Sequence, residues 1–230
     1  MSAPALVMVP GLGSNGIVWE RTIAALGDAA ACLIGDTLQD ATLPAMAQRI
    51  LAAAPPRFSL AGVSMGGMVA MEIVAQAPER VERLALFDTN ARPDTPEQTE
   101  QRRRTNAALL AAPDPAVLAR AGRAMLIHPD HEAVVDELLD RMGGEVDVAT
   151  YVRQNEAVIA RVDSRPRLPA IAVPTLAAVG AEDRMTPRAL MAEIAALIPT
   201  AQLHVIPACG HLPPLEKPAE TAALLRDWLR

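Results

Sequence analysis

A chain of 230 residues, 51% hydrophobic and 21% charged, has the material for a buried core and suits one globular domain with or without a modest insertion. The formal net charge is −6, and no basic cluster alternates with aromatics, which excludes a nucleic-acid footprint. Aromatics make up only 2%, so any pocket is expected to be aliphatic, and two cysteines, Cys32 and Cys209, are too few for a disulfide framework.

The N-terminus "MSAPALVMVPG" has no basic flank and breaks at Pro10 and Gly11, which argues against a signal peptide. No apolar run reaches the roughly 20 residues of a membrane span. A soluble, cytoplasmic protein is the expectation.

Short apolar runs alternate with helix-length segments. Strands are expected at Ala5 to Val9, Ala31 to Gly35, Phe58 to Val63, Arg83 to Asp88, Thr175 to Gly180 and Gln202 to Ile206. The runs are continuously apolar, as suits strands buried on both faces of a parallel sheet, and Cys32 is read as core. Helices are expected at Ile17 to Leu26, Pro44 to Ala53, Met65 to Ala77, Pro187 to Leu197 and Pro218 to Leu229. Alternation of this kind predicts an α/β fold with a doubly wound sheet.

The rhythm breaks between Ala91 and Pro169. Helix starts replace strands there: Thr95 with Gln98 forms a capping box, and Asp114 and Asp130 are N-cap candidates. Gly143-Gly144 reads as a helix end. "QRRRT" (Gln101 to Thr105), beside Glu97 and Glu100, reads as a solvated helix face. Prolines at 166, 169 and 174 mark the return to the sheet.

In "LAGVSMGGMVA", Ser64 ends a strand and a helix follows at once. A turn this tight strains the serine backbone and brings strand and helix together, so Gly62 and Gly66 remove side chains that would collide. This is a G-x-S-x-G nucleophile elbow. It also places the N–H of Met65 at a helix N-terminus, where it can hold an oxyanion.

A serine needs a base. Of the four histidines, His128 and His131 look like surface positions and His204 lies inside a strand. His211 follows the last strand in "CGHLPPLEKP" and emerges on the same sheet edge as Ser64. An acid must hold the imidazole tautomer. Asp183, in "VGAEDRMTP", is favoured, and Asp88, in "LFDTN", is the rival. Glycines after the first strand, "VPGLGSNG", let the backbone approach a substrate, and Leu12 N–H is assigned as the second oxyanion donor. That loop spells G-x-G-x-x-G, but it has no P-loop lysine and no clear acid at a second strand's end beyond Asp36, so dinucleotide binding is the weaker reading.

Together "PGLGSNGIVW", "LAGVSMGGMVA", "APERVERLAL", "VGAEDRMTP" and "CGHLPPLEKP" resemble the α/β-hydrolase family. Pro10 replaces the histidine usual before the oxyanion glycine. The resemblance implies a mostly parallel sheet of about six strands, without the family's first two. It implies a core of residues 1–90 and 170–230, with residues 91–169 inserted as a helical cap. The order Ser64, Asp183, His211 matches the family's nucleophile, acid and base. "GVSMGG" is similar to the elbows of 3-oxoadipate enol-lactonases and small carboxylesterases.

The expected function is that of a serine hydrolase cleaving a carboxylic ester or thioester of a small to medium apolar molecule. Enol-lactone, amide or C–C hydrolysis by the same triad is the alternative, and a binding protein on an idle scaffold is a further one. Arg92 and Trp19 are candidate substrate contacts, and in the enol-lactone, amide or C–C alternative Arg92 or Arg102 to Arg104 would recognise a substrate carboxylate. Trp19 and Trp228 also suit helix–sheet contacts. No metal or organic cofactor is expected, since no cysteine/histidine cluster has ligand spacing. The partner is a small-molecule substrate, with neither nucleic acid nor membrane, and the chain is a monomer or homodimer.

Overall fold

The structure, a computed structural model, describes residues 3–111 and 123–230. Six parallel strands form one sheet in the order β2-β1-β3-β4-β5-β6. They are β1 (Ala5–Val9), β2 (Ala31–Ile34), β3 (Phe58–Val63), β4 (Val81–Phe87), β5 (Thr175–Gly180) and β6 (Ala201–Ile206). The order reverses beside β1, so the chain leaves β1 one way to β2 and returns past it to β3. Such a switch point opens a crevice at the carboxyl ends of the strands.

Side chains alternate across the sheet, and both sides are covered. On one side Val7 and Val9 of β1 join Leu60 of β3 and Leu84 and Leu86 of β4 against α2 (Leu43–Ala53), α3 (Met65–Gln76) and α8 (Arg188–Leu197). On the other side Leu6, Met8, Ala61, Val63 and Phe87 pack against α1 (Ile17–Leu26) and α10 (Pro218–Trp228). This is why the central strands read as unbroken apolar runs rather than alternating ones. Each fully buried Leu or Ile contributes about 1.5–3 kcal/mol. The edges differ. Cys32 was expected in the core, but β2 is an outer strand and leaves it only half-buried.

Between β4 and β5 the described residues form no strand. They form α4 (Pro96–Ala111), α5 (Arg123–Leu126), α6 (Glu132–Glu145) and α7 (Val148–Ile159). The expected capping box is present: Gln98 N–H donates to Thr95 Oγ1 at 3.3 Å, and Thr95 N–H donates to Gln98 Oε1 at 2.9 Å. Asp130 is not a cap. It sits in a 3-10 turn (Pro129–His131), where its own N–H donates to the His128 ring at 3.2 Å. Gly143 and Gly144 do not end their helix, which runs on to Glu145. The expected cap at Asp114 lies outside the described residues. No helix among the described residues is long and apolar enough to cross a membrane.

Candidate active site

β3 delivers Ser64 at the centre of the carboxyl edge. Its backbone takes φ 56° and ψ −120°, in the left-handed half of conformational space, a strain of the kind that clusters at functional sites. The surroundings hold it there: Ser64 N–H donates to Phe87 O at 2.9 Å, and Thr89 Oγ1 donates to Ser64 O at 2.7 Å. The elbow glycines are packed against backbone. A Cβ at Gly62 would stand 2.3 Å from Gly66 O, and one at Gly66 would stand 2.1 Å from Val9 O.

Three side chains meet at this edge. His211 Nε2 lies 2.9 Å from Ser64 Oγ, and its Nδ1 lies 3.0 Å from Asp183 Oδ2. Asp183 also accepts from the N–H groups of Met185 at 2.8 Å and Thr186 at 3.0 Å, and from Thr186 Oγ1 at 2.6 Å. Burial alone would push its carboxyl up. His211, by its hydrogen bond and charge, and Thr186, by hydrogen bonds from its hydroxyl and N–H, outweigh that and hold it well below the ordinary carboxylate range. Asp183 is thus an anion beside an imidazole, the pairing that fixes the tautomer leaving Nε2 free to accept a proton.

Asp88, the rival acid, takes a different position. It is fully buried at the end of β4, and its Oδ1 accepts the Gly180 N–H at 2.8 Å. Burial first, and the Asp183 charge second, push its carboxyl well above the usual range. Asp88, Asp183 and His211 have ligand-type atoms within 4.8 Å of one another. Nδ1 and Oδ2 face each other in a direct hydrogen bond, however, and do not converge on a shared ion. Cys209, two residues before His211, is fully buried, and burial together with the Glu216 and Asp88 carboxylates raises its thiol far above the ordinary value. It stays protonated and is no rival nucleophile.

Ser64 and His211 open into a cavity of about 390 Å³. Leu12 and Met65 line it beside Ser64. Met65 is the first residue of α3, where the helix offers N–H groups without intrahelical acceptors. The far walls come from the helices between β4 and β5: Leu109 of α4, Leu126 of α5, Met142 of α6 and Val158 of α7. The lining is mostly aliphatic, as the composition predicted.

Arg92 and Trp19 are not in that lining among the described residues. The half-exposed Arg92 is clamped by Glu193, with Nε and Nη2 donating at 2.8 and 2.9 Å. Trp19 is fully buried under the sheet, edge-on to Phe87 at 5.8 Å between ring centroids. A large apolar ring on α1 gains more from that core than from a wet site. His204 stays half-buried on edge strand β6. His128 and His131, expected at the surface, are half-buried: the His131 ring lies 3.4 Å from buried Glu216 Oε2, and the His128 ring lies 3.8 Å from exposed Asp130 Oδ2.

Two positioning residues carry no motif. Glu216, in the short helix α9 (Pro213–Glu216), accepts the N–H groups of His128 at 2.8 Å, Gly210 at 2.9 Å and Leu212 at 3.0 Å. His211 N–H donates to Leu126 O at 2.7 Å. The loop bearing His211 is therefore sewn to the helical segment between β4 and β5. Gln154, fully buried on α7, accepts Gly13 N–H at 2.8 Å and donates to Thr37 O at 3.0 Å. It pins the loop after β1 and occupies one N–H that a phosphate would need. A carboxylate near a catalytic-type histidine and a glutamine in a helix are ordinary residues, and only their partners, far off in the chain, give them meaning.

A sequence model of the Alpha/beta hydrolase family matches residues 6–224. This chain belongs to the α/β hydrolase family. A thermophilic esterase from Thermogutta terrifontis superposes with a TM-score of 0.90 at 30% identity, covering 100% of this chain and 90% of that one. The enol-lactonase from Burkholderia xenovorans LB400 superposes with a TM-score of 0.87 at 26% identity, covering 100% and 92%. The pimeloyl-[acyl-carrier protein] methyl ester esterase of Nitrosomonas europaea is 27% identical over 95% of this chain and 93% of its own length. These relatives are hydrolases of different esters and lactones, and this α/β hydrolase is a hydrolase by the same fold and family.

Proposed function

We propose that this α/β hydrolase cleaves a carboxylic ester or thioester through an acyl-enzyme formed on Ser64. The supporting observation is the unbroken hydrogen-bond chain from Asp183 Oδ2 to His211 Nδ1, and from His211 Nε2 to Ser64 Oγ, ending in a cavity. Ser64 Oγ attacks the substrate carbonyl while His211 Nε2 takes its proton. The N–H groups of Leu12 and Met65 hold the oxyanion, and each such donor is worth about 3 kcal/mol in the transition state. His211 gives the proton to the leaving oxygen or sulfur. It then takes one from the water that attacks the acyl-enzyme, which regenerates Ser64 and releases the acid. Residues 91–169 act as the cap over this site and select the acyl group.

A cavity of about 390 Å³ is at the small end of ligand pockets, which favours a short to medium acyl chain. Hydrolysis of p-nitrophenyl acetate, butyrate, octanoate and decanoate tests this. The expected profile peaks at butyrate or octanoate and falls at decanoate. No turnover of any ester by folded protein would overturn the reading. A second reading, enol-lactone hydrolysis by the same triad, is favoured by the likeness to the Burkholderia enol-lactonase.

A further inference from the structure

One side chain in the cavity wall does not fit a purely apolar substrate. Arg102, on α4, is the only permanently charged residue lining the cavity among the described residues, and no carboxylate lines it with them. Its Nε donates to Asp94 Oδ2 at 2.8 Å, and its Nη1 donates to Asn155 Oδ1 at 2.7 Å. Nη2 has no protein partner among the described residues.

Asp94 does not neutralise Arg102 by itself. Its carboxylate, nearly fully buried, is shared with Arg161, whose Nη2 lies 2.7 Å from Asp94 Oδ1. Arg161 is almost as buried, and its other donors serve Arg92 O at 2.9 Å and Val158 O at 2.7 Å. Arg161 is thus wholly spent on structure. Two guanidinium cations face one carboxylate, which leaves one positive charge in excess. Glu156 is near, but it is exposed, and it reaches the cluster only through Asn106 Nδ2 at 2.6 Å. Solvent screens a carboxylate in that position. An unmatched cation in an apolar wall is costly unless a ligand supplies the anion. Its orientation is also set in advance: Asn106 Oδ1 accepts from Asn155 Nδ2 at 2.7 Å, which turns the Asn155 oxygen toward Arg102.

We propose that the substrate's acyl chain ends in a carboxylate, which Arg102 binds through Nη2 while the chain lies along the methionine and leucine walls. The substrate class is then a monoester of a dicarboxylic acid. This rests on Ser64 being the nucleophile. The surroundings of Arg102 agree: burial raises the Tyr151 phenol, and the Arg102 charge works against that rise, so the two groups sense each other in the same wall.

The test compares p-nitrophenyl hexanoate with the mono-p-nitrophenyl ester of adipic acid, which has the same chain length and leaving group. Wild type is expected to favour the acidic ester in kcat/KM. Arg102→Gln is expected to lower kcat/KM for the acidic ester by about 10- to 100-fold while changing the neutral ester by less than about threefold. Arg102→Lys keeps the charge without the planar fork and is expected to recover part of the loss. In wild type, which needs no variant to fold, adipate is expected to inhibit neutral-ester hydrolysis more tightly than hexanoate. Equal loss on both esters, or no preference between esters and between inhibitors in wild type, would overturn the carboxylate site. If the neutral ester turns over without any such preference, only this inference fails. If neither ester turns over and Ser64 is not labelled by a fluorophosphonate, the serine-hydrolase reading fails with it.

Discussion

Replacing Ser64 with alanine is expected to lower kcat for p-nitrophenyl butyrate by at least about 10³-fold while leaving the fold intact. The oxyanion donors and the cavity survive the change, so a small residual acceleration over water is expected to remain. The fold survives for a specific reason. The backbone at Ser64 is already at φ 56°, and alanine meets the same strain there as serine. The main-chain bonds to Phe87 and from Thr89 are untouched. The lost contact is the Oγ bond to His211 Nε2, and removing a strained polar nucleophile is commonly neutral to stability or favourable. Steady-state rates and a melting curve on the same preparation check both halves. A rate within about tenfold of wild type would show that another group does the chemistry.

Gly66→Ala is expected to do the reverse and damage the fold itself. Its Cβ would stand 2.1 Å from Val9 O and 2.6 Å from Pro10 O. Both are backbone atoms at the end of central strand β1, so no side-chain rotation relieves the clash. Either α3 lifts from the sheet or β1 shifts, and both loosen a core that includes Val7, Met65 and Val69. A cost of several kcal/mol is of the order of the whole stability of a domain this size. Insoluble expression, or a Tm lower by more than about 10 °C, is the expected result. Gly144→Ala is the matched control: it lies in helix α6 with nothing within 4 Å of the added carbon. Alanine is the better helix former there, so Tm is expected to hold or rise slightly. A Gly66→Ala protein melting within a few degrees of wild type would mean that the elbow is looser than described.

Most of the sheet was readable from the chain for one physical reason. Strands such as Phe58 to Val63 are buried on both faces, so every position reports burial and their limits stand out. Edge strand β2 gives a weaker signal, and Cys32 misleads because an apolar residue at a sheet edge looks the same in sequence as one in the core. Glycine spacing around Ser64 is readable because collisions with backbone leave no other residue possible. The two acids were harder to separate. Asp88 and Asp183 both end strands at the same edge, and only the third dimension shows that Asp183 meets His211 Nδ1 while Asp88 binds the Gly180 N–H.

Other features have no local signature. Arg92, Arg102 and Arg161 are alike in sequence. Their different positions depend on Glu193, Asp94 and Asn155, each brought near by folding rather than by neighbouring position in the helix. Glu216 and Gln154 act across 88 and 141 residues respectively, and no spacing rule reaches that far. Trp19 sits beside the glycine loop in sequence but turns into the core, because α1 carries it under the sheet to Phe87.

The measurement that tests the central claim most directly is labelling of the folded protein with a fluorophosphonate, followed by peptide mass spectrometry. The adduct forms only on an activated serine, and it does so independently of the natural substrate. The account predicts one adduct per chain, on the peptide that contains Ser64, and none after His211→Ala. Labelling of a different serine, or no labelling of protein that melts cooperatively, would contradict it.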